Sequence, residues 1–142
     1  MIIVDTSALL SAMDAADPDQ RRTAIAIRSS RGPRLLSPFV LAELDYLLSR
    51  RMGPVIARRL LDEVTSGAYR LEPFDADDVR QAALVLDRYR DLDLGLADAS
   101  MVVIAHRYGI HDIATFDERH FRAVLGPGDR PFRILPADAA AA

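Results

Sequence analysis

Ile2-Ile3-Val4-Asp5-Thr6-Ser7-Ala8-Leu9-Leu10 opens the chain and decides how the rest is read. Three β-branched residues followed at once by a carboxylate make a short buried strand that ends at Asp5. Asp5-Thr6-Ser7 can then cap a helix from Ala8 to Met13. A strand that feeds straight into a helix is the first half of a βαβ unit. Asp5 is therefore expected at a strand's carboxyl end, where open α/β sheets build their sites.

The alternation continues along the chain. A helix is expected from near Pro18 to about Ser29, and Arg31-Gly32-Pro33 breaks it. Leu35-Leu36 is a short strand. Ser37 as N-cap and Pro38 at the first helical position open a helix to about Arg51. Gly53-Pro54 ends it and starts another, Val55 to Val64, which Gly67 stops. Tyr69-Arg70-Leu71-Glu72 alternates as a strand does, and Asp75 caps a helix from Ala76 to Tyr89. Leu96 to Tyr108 is a further helix, closed by Gly109. Asp112 to Thr115 is a strand ending near Asp117, a short helix contains His120 and Phe121, and Phe132 to Leu135 is the last strand. The expected class is α/β, with short strands in a mainly parallel sheet and dominant helices. No repeat or linker divides the chain, so residues 1–136 are expected to form a single domain and 137–142 a disordered Ala-rich tail.

Composition narrows the chemistry. The chain has 142 residues, half of them hydrophobic, which is enough for a sizeable core. A net charge of −3 gives no global basic field, so nucleic-acid contact would need a local patch. The absence of cysteine excludes disulfides and thiolate metal sites. All 18 basic residues are arginine, which excludes a catalytic lysine. The bias fits a GC-rich genome, and arginine forks also match phosphate oxygens well. Asp5 and Asp14 interrupt the N-terminal apolar stretch, so no signal peptide is read. No apolar run is long enough for a membrane span, and a cytoplasmic location is expected.

Four carboxylates stand out. Asp5 and Asp117 each follow a strand, although each could equally serve as a helix cap. Glu43 falls beside an apolar stripe of Val40, Leu41, Leu44, Leu47 and Leu48, at the seam between core and water, where an ordinary flanking residue would also lie. Asp98 lies in the first turn of a helix that is apolar nearly all round, and such a helix is buried. A helix N-terminus offsets typically about 0.3–1 kcal/mol of a buried charge. That is too little for a fully buried carboxylate, for which a bound cation would suffice; a partly exposed capping role is the alternative. Four acidic groups on four separate elements suit a hard ion, Mg²⁺ or Mn²⁺. His106, His111 and His120 form no zinc-type pair, and each is expected to be structural or at the surface.

The residues then show a family likeness. Ile3-Val4-Asp5-Thr6-Ser7-Ala8-Leu9-Leu10 resembles the first motif of PIN-domain proteins. Ser37-Pro38-Phe39-Val40-Leu41-Ala42-Glu43-Leu44 resembles the second, Leu96-Ala97-Asp98-Ala99 the third, and Thr115-Phe116-Asp117-Glu118-Arg119-His120-Phe121 the fourth. The resemblance spans residue 2 to about 135 and is greatest to the VapC group, the toxins of type II toxin–antitoxin pairs. It implies a PIN-like α/β/α sandwich and an endoribonuclease that cleaves structured RNA such as tRNA or rRNA. It implies catalytic and metal-ligating roles for Asp5, Glu43, Asp98 and Asp117, with Ser7 and Thr115 in support. It gives Asp93 no clear role. It also implies a cognate antitoxin and a homodimer, to which apolar residues such as Phe39 and Tyr46 hint.

RNA must meet positive charge. Arg50, Arg51, Arg58 and Arg59 cluster about the Gly53-Pro54 turn and are candidate phosphate contacts, or simply a solvated face. Arg28, Arg31 and Arg34 are a second such group. Two rival activities are weighed. A phosphohydrolase with Asp5 as nucleophile wants a second aspartate where Ser7 stands, and a lysine. A non-catalytic PIN-like binding module would not require the intact acidic set.

Overall fold

The computed structural model describes residues 1–140. Five strands alternate with seven α-helices: β1 (Ile2–Val4), α1 (Thr6–Met13), α2 (Gln20–Ser29), β2 (Arg34–Leu36), α3 (Pro38–Met52), α4 (Pro54–Thr65), β3 (Arg70–Leu71), α5 (Ala76–Arg88), α6 (Leu96–Tyr108), β4 (Asp112–Ala114), α7 (Glu118–Phe121) and β5 (Arg133–Leu135). The strands form one parallel sheet in the order β3-β2-β1-β4-β5. Ile3 pairs with Leu35 on one side and Ile113 on the other. Every residue of β1 is buried. Because side chains alternate across a sheet, continuous burial means that helices cover both faces, as in an α/β/α sandwich.

The order of the strands fixes where a site can form. The chain runs outward from β1 through β2 to β3, then returns to place β4 and β5 on the other side of β1. The direction of winding therefore reverses between β1 and β4. A crevice opens beyond the carboxyl ends of the strands at such a point. Asp5 follows β1 and Thr115-Phe116-Asp117 follows β4, so both segments enter this crevice.

The local chemistry explains the helix boundaries. Ser37 Oγ accepts from Phe39 N at 3.2 Å, with Pro38 in the first turn. Asp75 and Asp78 cap each other reciprocally at the start of α5, through bonds of 3.1 and 2.9 Å. Gly109 closes α6 with φ of 67°, a left-handed value that glycine adopts without steric cost. The buried Ser37 and Ser100 hydroxyls lie 2.7 Å apart and tie α3 to α6.

Pro18 lies in the turn that leads into α2, near its start, where Asp17 Oδ1 accepts from Asp19 N at 2.7 Å. One expectation is corrected at the edge strand, where the alternation read over Tyr69 to Glu72 breaks off after Arg70. Leu71 is exposed and Glu72 is buried, held by Arg70 and Arg107. In the segment expected to be a disordered tail, the Asp138 carboxylate accepts from Ile134 N at 2.8 Å and pairs with Arg122. Residues 141 and 142 of that expectation lie outside the described residues. No helix among the described residues is long and apolar enough to cross a membrane.

Candidate metal centre

Asp5 sits where β1 gives way to α1, and both of its carboxylate oxygens accept from neighbours. Its Oδ1 accepts from Thr6 N at 2.7 Å. Its Oδ2 accepts from Thr115 Oγ1 at 2.6 Å and lies 3.3 Å from Ser7 Oγ. Ser7 Oγ also accepts from Phe116 N at 2.9 Å, and Thr115 Oγ1 accepts from Asp117 N at 2.9 Å. The two hydroxyls, 3.3 Å apart, thus stitch the loop after β4 onto the start of α1. Asp5 is 8% exposed. Burial raises its pKa from 3.8 to about 6, against the lowering effect of the Thr115 and Thr6 bonds, with the Asp98 charge adding a smaller upward push.

Asp98 enters from the first turn of α6. One of its oxygens accepts from Gly95 N at 3.1 Å, as an N-terminal cap. It is half-buried rather than sealed in the core, which corrects the expectation drawn from the apolar composition of α6. The helix is apolar all round, but Leu96 and Ala97 in its first turn reach the surface. The Asp98 carboxyl is nonetheless raised above 3.8, first by burial and then by the neighbouring Asp117 charge. The Gly95 bond and His120 oppose that rise.

Asp117 caps α7. Its Oδ1 accepts from His120 N at 3.2 Å, and its Oδ2 lies 2.7 Å from His120 Nδ1. Glu43 is exposed on α3, one face away from the buried Val40, Leu44 and Leu48.

These four carboxylates, from four separate elements, line one cavity of about 460 Å³ together with Ser7 and His120. No arginine lines it. Like charges gathered with only His120 as a basic neighbour repel one another, and a divalent cation relieves that repulsion. The donor set therefore fits a divalent ion. Asp98, Asp117 and His120 come nearest to a ligand set, each offering one atom within 4.8 Å of the others.

Some residues fall elsewhere. Arg50, Arg51, Arg58 and Arg59 are exposed and none lines the carboxylate cavity. Arg51 lines an adjoining cavity with Ser7, Leu10, Phe116 and three aspartates, Asp14, Asp17 and Asp19. Asp93 is exposed in a left-handed conformation, with φ of 56°, outside the carboxylate cavity. The sequence reading set His120 aside as structural or superficial, and the structure places it in the cavity wall. The Asp117–His120 spacing of three residues, which puts two side chains on one helical face, was the available signal.

Comparison with known proteins identifies the family. The PIN domain family model matches residues 2–125. Ribonuclease VapC26 of Mycobacterium tuberculosis is 42% identical over 135 residues, covering 95% of this chain and the whole of that protein. The crystal structure of Mycobacterium tuberculosis VapC20, a sarcin-ricin-loop-cleaving toxin, superposes with a TM-score of 0.76 at 27% identity, over 83% of this chain and 91% of that one. The DNA-bound VapBC structure from Salmonella typhimurium has a TM-score of 0.65 at 18% identity, over 94% and 96% of the two chains, and shares the fold. The chain belongs to the PIN-domain family, within its VapC group.

Proposed function

We propose that this chain is a Mg²⁺- or Mn²⁺-dependent endoribonuclease, the toxin of a toxin–antitoxin pair. The observation that carries this reading is the convergence of Asp5, Glu43, Asp98 and Asp117 on one cavity that holds no arginine. The ribonuclease VapC26, matched over its whole length, supports the same activity here. The sarcin-ricin-loop-cleaving VapC20 supports structured RNA, of the rRNA or tRNA class, as substrate.

A divalent ion held by Asp98 and Asp117, with Asp5 and Glu43 beside them, would supply a water of lowered pKa and neutralise charge on the phosphoryl group. The chain's own residues do the rest. Thr6, Ser7 and Thr115 fix the Asp5 carboxylate in one orientation, so it is preorganised without having to reorganise during reaction. Asp5 or Asp98 orients the attacking water. The water oxygen bonds to phosphorus as the bond to the 3′-oxygen breaks, and that oxygen takes up a proton. Products carry 5′-phosphate and 3′-hydroxyl ends, and the ribose 2′-hydroxyl does not attack.

Control of such an activity by a cognate antitoxin that covers the acidic cavity fits the VapBC complexes that share this fold. A homodimer belongs to the same reading. The arginines near the Gly53-Pro54 turn remain candidates for phosphate contact, with Arg51 nearest the site.

The test is incubation of labelled structured RNA with the purified chain, with and without EDTA, followed by end-group analysis. Cleavage that EDTA abolishes, leaving 5′-phosphates, is expected. Metal-independent cleavage, or 2′,3′-cyclic phosphate ends, would contradict the mechanism.

A further inference from the structure

Ser7 and Leu10 line the carboxylate cavity and also a second cavity of about 340 Å³, so the two adjoin. The nuclease reading gives the second cavity no task. Its wall holds the Phe116 ring, which is 37% exposed although its neighbours in sequence, Thr115 and Asp117, belong to the acidic site. The segment is fixed in place. Phe116 N–H donates to Ser7 Oγ and Asp117 N–H donates to Thr115 Oγ1, each at 2.9 Å. A fixed, exposed aromatic face beside a site that cuts RNA is a platform on which an unpaired base can stack.

The charges in the same wall define the group that fits. Asp14, Asp17 and Asp19 are half-buried there. Asp19 is occupied by Arg22. Asp14 Oδ1 accepts from Ala16 N at 2.9 Å and Asp17 Oδ1 from Asp19 N at 2.7 Å, and the Oδ2 of each has no hydrogen bond among the described residues. These acids are not a second metal set, since among the described residues Asp98, Asp117 and His120 alone bring donor atoms close enough together. Carboxylates repel phosphate and accept from N–H donors, so the cavity suits the neutral base of a nucleotide rather than its phosphate. Arg51, exposed in the same lining, offers the fork for a phosphate next to it.

We propose that this second cavity binds one unpaired guanine of the RNA substrate beside the scissile bond, stacked on Phe116 and held at its donor edge by Asp14 or Asp17. The proposal rests on the nuclease reading above and adds a specificity pocket to it. Guanine alone places two donors side by side on its Watson–Crick edge, the ring N–H and the exocyclic amino group. Adenine and cytosine put an acceptor beside the amino group, and uracil flanks its single donor with two acceptors. A carboxylate therefore favours guanine and is repelled by the others.

The test titrates the full chain, with its phenylalanines ¹³C-labelled and EDTA present to prevent cleavage, with oligouridines that carry one central guanine, adenine or cytosine. Phe116→Tyr identifies the Phe116 ring signal by its loss and should keep the wild-type KM for RNA. The Phe116 signal should move on binding, and the guanine oligomer should bind about tenfold more tightly than the others. With metal restored, Phe116→Leu should raise KM about tenfold, a larger change than in kcat. Asp14→Asn with Asp17→Asn should abolish the guanine preference. The wild-type titration decides the matter even if Phe116→Leu fails to fold. A Phe116 signal that no oligomer moves, equal affinity for all oligomers, or wild-type KM in Phe116→Leu overturns the base pocket and, where EDTA-sensitive cleavage persists, leaves the nuclease reading standing. Guanine-selective shifts in a chain that cleaves no RNA uphold the pocket and overturn the nuclease reading instead.

Discussion

Thr115 Oγ1 donates a 2.6 Å hydrogen bond to Asp5 Oδ2, joining the ends of two neighbouring parallel strands, β4 and β1, where the winding of the sheet reverses. Both residues are buried. The bond offsets part of the burial that drives the Asp5 carboxyl upward, and it aims the carboxylate at the cavity. The account of the site turns on this contact, since Asp5 is its most constrained acid.

Thr115→Val keeps the shape and removes the donor. The Asp5 pKa should rise further above about 6, because the Thr115 bond is the largest influence lowering it. Loss of a bond to a charged group of this kind costs about 1.5–3 kcal/mol. Carboxyl titration by NMR on metal-free protein measures the shift. A value unchanged from wild type would remove Thr115 from its positioning role.

The stability of the metal-free protein should fall as pH rises from about 4 to about 6. Asp5 has a folded pKa raised from 3.8 to about 6, and Asp98 is raised in the same direction. In this window the folded state binds more protons than the unfolded state, so stability declines with rising pH. Asp78 and Asp138 are held below 3.8 by their bonds, chiefly from Asp75 N and Arg122 respectively, so their opposite contribution falls below the window. Thermal melts at several pH values, with EDTA present, check the slope. Saturating Mg²⁺ or Mn²⁺ should reverse the loss near neutral pH by mass action.

Asp5→Asn should make the metal-free protein more stable at pH 7 while destroying cleavage. Each pKa unit corresponds to about 1.4 kcal/mol, so removal of a charge raised from 3.8 to about 6 should gain about 1–3 kcal/mol. Denaturant unfolding measures the gain. A destabilised variant would mean that Asp5 serves as a structural acceptor rather than as a strained charge.

Much of this arrangement was legible in the sequence, for identifiable reasons. Ile2-Ile3-Val4-Asp5 announces a buried strand with an acid at its end, and the capping residues Ser37, Asp75 and Gly109 set helix limits through their own local bonds. Local chemistry leaves local signals. The burial of Asp98 was overestimated because composition does not reveal how far a first turn projects from the core. The alternation over Tyr69 to Glu72 could not show that Glu72 is buried, because one of the two arginines that hold it, Arg107, comes from a helix distant in sequence. His120 was passed over because its significance depends on Asp98, which approaches from another helix.

Two glutamates give a contrast between site and scaffold. Glu43 is exposed on the cavity wall, so Glu43→Gln should change stability by less than about 0.5 kcal/mol and reduce cleavage by about 10²-fold. Glu72 is buried between Arg70 and Arg107, away from the cavity, so Glu72→Gln should cost about 1–3 kcal/mol and leave cleavage intact. Paired unfolding and cleavage assays separate the two. The same profile for both would argue that Glu43 has no special place.

The most direct test is a calorimetric titration of EDTA-stripped protein with Mn²⁺, on wild type and on Asp98→Asn and Asp117→Asn. Saturable binding by wild type, lost or greatly weakened in each variant while the circular dichroism spectrum persists, is the predicted result. Equal binding by all three proteins, or none by wild type, would contradict a divalent centre built from these carboxylates.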